Sequence, residues 1–202
     1  FIPLFPHSIA KHDVITAIHA IHNVHAALAK LNSTDANLGK FDKERDYPRR
    51  LLTDYDADTE VLETKWTLSD DDVSAVEEVL GPGCLPTKNI TISKSYSTST
   101  ATWPLTVNET KVIAWLLSEA GCDATERQQL DGCATVKELL TKAEPLKAAS
   151  PRITTLTERV AGWRDSNPVC AAVDILYKRM PKFLYFASYD LSLIHISEPT
   201  RL

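Results

Sequence analysis

The stretch WTLSDDDVSAVEEVLGPG, residues 66–83, carries the clearest local signals in the chain. Ser69 begins the pattern Ser-Asp-Asp-Asp, which caps the N-terminus of a helix. The valines and the leucine that follow recur at the spacing of one helix face. Gly-Pro-Gly at residues 81–83 then stops the pattern. The stretch therefore predicts a short, capped helix that ends at a glycine turn.

Strand patterns flank this helix on both sides. Residues 60–68, EVLETKWTL, are rich in β-branched and aromatic side chains, which favour a strand. Residues 89–98, NITISKSYST, alternate between apolar and polar, and residues 103–107 form a second short apolar run after a polar linker. We expect these last two runs to form a β-hairpin or meander with each other.

The sequence from residue 109 to residue 180 is helical in pattern. Breaks at Gly121, Gly132 and Pro145 divide it, as do the capped pairs Ser150-Pro151 and Asn167-Pro168, in which proline occupies the first helical position. Four or five helices are expected. Residues 181–189, PKFLYFASY, then resume a strand pattern, and we expect them to pair with the earlier strands. The order predicts a mixed α/β (α+β) fold with a long helical insertion.

The N-terminal part divides into a helix and a loop. Apolar residues at 12–31 recur at threes and fours, which predicts a helix. Residues 32–58 are polar and rich in turn formers, and they predict an extended loop.

The composition excludes several classes of protein. The chain has 202 residues and is 44% hydrophobic, so it can bury a core and is not expected to be disordered throughout. A net charge of −5 argues against a broad nucleic-acid footprint, so any contact with DNA must be local. The sequence shows neither a membrane span nor a signal peptide, which predicts a cytoplasmic protein. Its cysteines are expected to be reduced and mostly buried: Cys84, Cys122, Cys133 and Cys170.

Four histidines on the predicted first helix are one candidate for chemistry. His19, His22 and His25 follow one another at steps of three, and His12 precedes them. Imidazoles at this spacing could bind a divalent metal. A closed site needs a fourth donor, and the nearest carboxylate in sequence is Asp13. A solvated polar face is therefore the favoured interpretation, with metal binding as the alternative.

Two charged segments allow a functional and a structural interpretation. Asp70, Asp71 and Asp72 could resemble a magnesium cluster, but carboxylates directly before a helix favour its positive dipole end, so capping is the preferred interpretation. The arginines of residues 40–50 could meet phosphate, yet acids interleave with them and favour a solvated loop. No catalytic triad can be assigned from spacing.

The sequence lacks a phosphate-binding loop. A Walker loop needs Gly-x-x-x-x-Gly-Lys-Ser/Thr so that backbone amides can close around phosphates. The one Gly-Lys pair, Gly39-Lys40, is followed by Phe41 and has Thr34 where the first glycine belongs. The chain itself is therefore expected to hold no cofactor and to contribute no catalytic, cofactor-binding or metal residue.

Several segments, taken in order, resemble the OLD-like AAA ATPases, whose ABC-type head is related to that of SMC proteins. They are ALAKLN (27–32), KFDKERDYPRR (40–50), WTLSDDDVSAVEEVLGPG (66–83), ITISKSY (90–96) and MPKFLYFASYD (180–190). The resemblance implies an intact relative that binds ATP and Mg²⁺, dimerises head to head and often drives a nuclease on DNA. It would place the Walker lysine and threonine near residues 21 and 22. This sequence has Ile21 and His22 there, so it has neither the lysine nor the threonine.

The resemblance also implies a division of the chain. Residues 1–25 would be a divergent or mis-started beginning, 26–108 part of the ATPase head, 109–180 an inserted helical lobe and 181–190 a returning strand. Residues 191–202 resemble a translated sequencing-library adapter, so we expect this chain to be a catalytically silent fragment. The alternative is a non-enzymatic module whose helical block binds a protein partner.

Overall fold

The computed structural model describes residues 27, 28, 30, 31, 41, 56, 58–96, 98 and 100–182. The chain divides into two compact units, one of Phe1–Leu62, Ser95–Thr100 and Pro181–Leu202, the other of Glu63–Lys94 and Ala101–Met180. The division predicted from the sequence stays a prediction. The described residues combine helices with a two-stranded antiparallel sheet. This confirms the general α+β class that the sequence predicts.

Two strands and the helix between them form the first part of the fold. Strand β1 spans Glu60–Thr67, helix α1 spans Asp70–Leu80 and strand β2 spans Asn89–Ser95. The backbone N–H of Leu68 donates to the carbonyl of Lys88 at 2.8 Å, just beyond the paired strands. The chain therefore leaves β1, forms helix α1 and returns as β2, which runs antiparallel beside β1.

Helix α1 begins and ends where the sequence predicts. Ser69 and Asp72 form a reciprocal capping box at its start. At its end Gly81 has φ +93° and ψ 157°, a conformation that only glycine adopts without strain. A Cβ atom on Gly81 would lie 2.4 Å from the Cβ of Trp115, so the same glycine also lets the chain approach the next helix.

Five helices form the block that follows, within the predicted number. They are α2 (Glu109–Glu119), α3 (Ala124–Gln129), α4 (Val136–Ala143), α5 (Pro151–Ala161) and α6 (Pro168–Arg179). Short 3₁₀ turns span Glu144–Leu146 and Arg164–Ser166. Ser150 and Asn167 cap α5 and α6, each with proline at the first helical position, as predicted.

The core of the second unit lies where these helices meet. Helix α1 packs on α6 and α2, and α4 packs on α2 and α5. Apolar side chains of α1, α2, α4, α5 and α6 are almost fully buried there, whereas α3 contributes no buried residue. They include Val76, Leu80, Val112, Leu116, Val136, Leu139, Ile153, Leu156, Ala172 and Leu176. Burial of this apolar surface is the main stabilising contribution to the helical block.

The second strand of the predicted hairpin is absent, and this expectation was wrong. Residues 103–107 form no strand, and an isolated antiparallel bridge joins Ser93 of β2 to Thr102, the residue directly before them. Pro104 has no N–H to extend a ladder, and the N–H of Leu105 donates back to the carbonyl of Trp103 at 2.8 Å. β2 instead pairs with β1.

The described residues of the first unit include the end of a helix and an aromatic contact. Ala27, Leu28, Lys30 and Leu31 are helical, as expected for the end of the predicted first helix. The ring of Phe41 meets Tyr96 edge to face at 6.0 Å, and the Lys30 ammonium lies 4.8 Å from the Phe41 ring centre. Most of the predicted first helix and loop, and the strand predicted at 181–189 beyond Lys182, lie outside the described residues.

Candidate functional site

The three aspartates at the start of α1 form the candidate site that the structure describes in full. Asp70 lies at the first position of the helix and forms a salt bridge with Lys88, the residue directly before β2. The hydrogen bond and the charge of Lys88 hold the pKa of Asp70 below its ordinary value. The bridge thus ties the start of the helix to the start of the returning strand.

Asp72 has both of its carboxylate oxygens engaged. Its Oδ2 accepts from the Ser69 hydroxyl at 2.7 Å and from the Ser69 backbone N–H at 3.1 Å. Its Oδ1 accepts from Nε of Arg179 at 2.6 Å. These hydrogen bonds, chiefly those from the Ser69 hydroxyl and Arg179, lower the pKa of Asp72. The carboxylate is therefore a cap and an ion-pair partner at once.

This geometry supports the capping interpretation for Asp72, whereas Asp70 forms an ion pair with Lys88. The N–H of Asp72 donates to Ser69 Oγ at 3.2 Å, which completes the capping box. Mg²⁺ takes carboxylate oxygens in near-octahedral geometry, whereas Asp72 directs both oxygens at donors of its own chain. Within the described ranges, no group of three or more His, Cys, Asp or Glu side chains is arranged to hold a metal ion.

A second polar cluster joins α3 to α5. The Ser150 hydroxyl, largely buried, donates to Oε1 of Glu126, and Nη1 of Arg152 lies 3.4 Å from the other carboxylate oxygen. Asp123, the N-cap of α3, forms a capping box with Glu126 and also meets Arg152 at 3.3 Å. The hydrogen bond from Ser150 is the main cause of the lowered pKa of Glu126.

Ser150 in this cluster acts as the N-cap of α5. The Ser150 hydroxyl faces an ionised carboxylate, but among the described residues no imidazole or amine is seen to pair with it as a base. The sequence predicted Ser150 as a helix cap, and Ile153 N–H does donate to its Oγ. Its bond to Glu126 joins residues 24 apart, a separation for which the sequence carries no local signal.

Two of the four cysteines are buried and two are partly exposed, which supports the expected burial only in part. Burial raises the pKa of the Cys84 thiol to about 11, and the carboxylate of Glu77 adds to that rise. Burial also raises the pKa of Cys122. The thiol of Cys133 donates to the carbonyl of Leu130 at 3.2 Å. A thiol with a raised pKa is a poor nucleophile, so Cys84 suits packing and not catalysis.

One buried charged residue was missed by the sequence argument. Lys94 on β2 is only 1% exposed and lies on the same face as Ile90 and Ile92. The alternation of NITISKS places every second residue inward, and this period could have identified Lys94 as buried. A lysine at such a position is uncommon because burial disfavours its charged form.

Other candidates from the sequence lie outside the described residues. These are His12, His19, His22 and His25, the Gly39-Lys40 pair and, apart from Phe41, the charged residues 40–50. The structure brings Asp70 to Lys88 and Asp72 to Arg179.

Comparisons with known proteins give no assignment for the chain. No protein-family model, no curated protein and no solved structure matches it. In the part of the chain that the structure describes, none of the helices combines the length and the apolar character that crossing a membrane requires.

Proposed function

We propose that this chain is part of the head of an OLD-like AAA ATPase, in which it supplies an antiparallel strand pair and an inserted helical lobe. The observation that carries the proposal is the course of residues 66–96, where two of the family-like segments lie. WTLSDDDVSAVEEVLGPG covers the end of β1, all of α1 and the glycine turn, and ITISKSY covers most of β2. The two segments therefore supply α1 and parts of the two strands, β1 and β2, that pair with each other.

Packing between α1 and the helical block supports a role for that block as a lobe of the head. Helix α1 packs on α6 and α2, and Arg179 and Asp72 join the end of α6 to the start of α1. Arg159 stacks 4.5 Å from the Trp115 ring and forms a salt bridge with Glu119, which joins α5 to α2. The lobe is thus attached to the strand connection by apolar and charged contacts together.

The residues present do not fit ATP or Mg²⁺. The sequence has no Gly-x-x-x-x-Gly-Lys-Ser/Thr loop, and the carboxylate of Asp72 is engaged by Ser69 and Arg179. In the proposal the intact protein is cytoplasmic, binds ATP and Mg²⁺ through other segments, dimerises through its heads and acts on DNA, whereas this chain by itself is catalytically silent.

ATP hydrolysis by the product of the native gene tests this proposal. That product should hydrolyse ATP in the presence of Mg²⁺, and changing its Walker lysine to alanine should abolish turnover, because that lysine contacts the transferred phosphoryl group. The 202-residue chain, purified and assayed in parallel, should show no turnover. A native product that folds but neither binds nor hydrolyses ATP would contradict the proposal and would leave the protein-binding module as the hypothesis to test.

A further inference from the structure

We draw no further inference here: the strongest candidate, the surface aromatic pair of Trp103 and Tyr177 at the last turn of α6, carries no proposal because nothing in the structure shows what covers it.

Discussion

Arg179 in the last turn of α6 donates from Nε to Oδ1 of Asp72 in the first turn of α1, at 2.6 Å and across 107 residues of sequence. The side chains of both residues are partly exposed, at 40% and 26%. The contact joins the C-terminal end of one helix to the N-terminal end of another, and each charge also suits the dipole of its own helix.

A double-mutant cycle with Arg179→Gln and Asp72→Asn measures this contact. We expect a coupling free energy of about 0.5 to 1 kcal/mol in urea unfolding, since the pair is only partly shielded from water. Coupling should shrink in 1 M salt. Because the folded-state pKa of Asp72 lies below its ordinary value of 3.8, the coupling is complete above that pH and is lost as the pH falls through the lowered pKa.

Lys178→Gln provides the control for this cycle, because Lys178 is the exposed neighbour of Arg179 and no ion pair with Asp72 is observed for it. Its cycle with Asp72→Asn should give coupling near zero. Equal coupling for Lys178 and Arg179 would show a general charge effect and would contradict a specific contact.

The capping box predicts a difference between two serines of the same segment. Ser69→Ala removes the acceptor for the Asp72 N–H and should lower the free energy of unfolding by about 1 kcal/mol. Ser74→Ala, in the exposed middle of α1, should be neutral or slightly stabilising because alanine has the higher helix propensity. Urea unfolding followed by circular dichroism measures both. Equal effects at the two positions would be inconsistent with the capping box.

The glycine turn after α1 predicts a second contrast. Gly81→Ala places a Cβ 2.4 Å from Cβ and Cγ of Trp115 in a backbone conformation that disfavours alanine. We expect a loss of about 3 kcal/mol or more. Gly121→Ala also meets a positive φ, +65°, but has no atom within 4 Å, so it should cost only about 1 kcal/mol. Thermal unfolding separates the two cases, and a cost for Gly81→Ala no larger than that for Gly121→Ala would refute the close approach.

Cysteine labelling tests the burial of the thiols. With a pKa of about 11, Cys84 has roughly a thousandth of its population as thiolate at pH 8, and it is also buried. Cys133 and Cys170 are partly exposed and should react first with iodoacetamide in the native protein. Peptide mass spectrometry reads out each site, and labelling in urea provides the control in which all four should react. Native labelling of Cys84 ahead of Cys133 and Cys170 would contradict the described packing.

The features that the sequence predicted correctly are local ones. The Ser69 cap, the glycine stop at 81–83 and the Ser-Pro and Asn-Pro helix starts depend on neighbouring residues, so short-range pattern reading finds them. The same holds for β1, whose predicted range of 60–68 differs from Glu60–Thr67 by one residue.

The features that it missed depend on partners distant in sequence. Residues 103–107 show a strand pattern, yet the backbone turns at Pro104, and Trp103 packs edge to face on Tyr177 with ring centres 6.4 Å apart. The link from Arg179 to Asp72 and the link from Ser150 to Glu126 are equally non-local. No periodicity within one element encodes which distant side chain completes a hydrogen bond.

The most direct test of the assignment to an ATPase head is a long sequencing read across the native locus, translated in frame on both sides of residues 26–190. The account predicts a Gly-x-x-x-x-Gly-Lys-Ser/Thr loop shortly before residue 26 and a signature motif with paired acids after residue 190. A native reading frame that holds neither motif would contradict the assignment to an ATPase head.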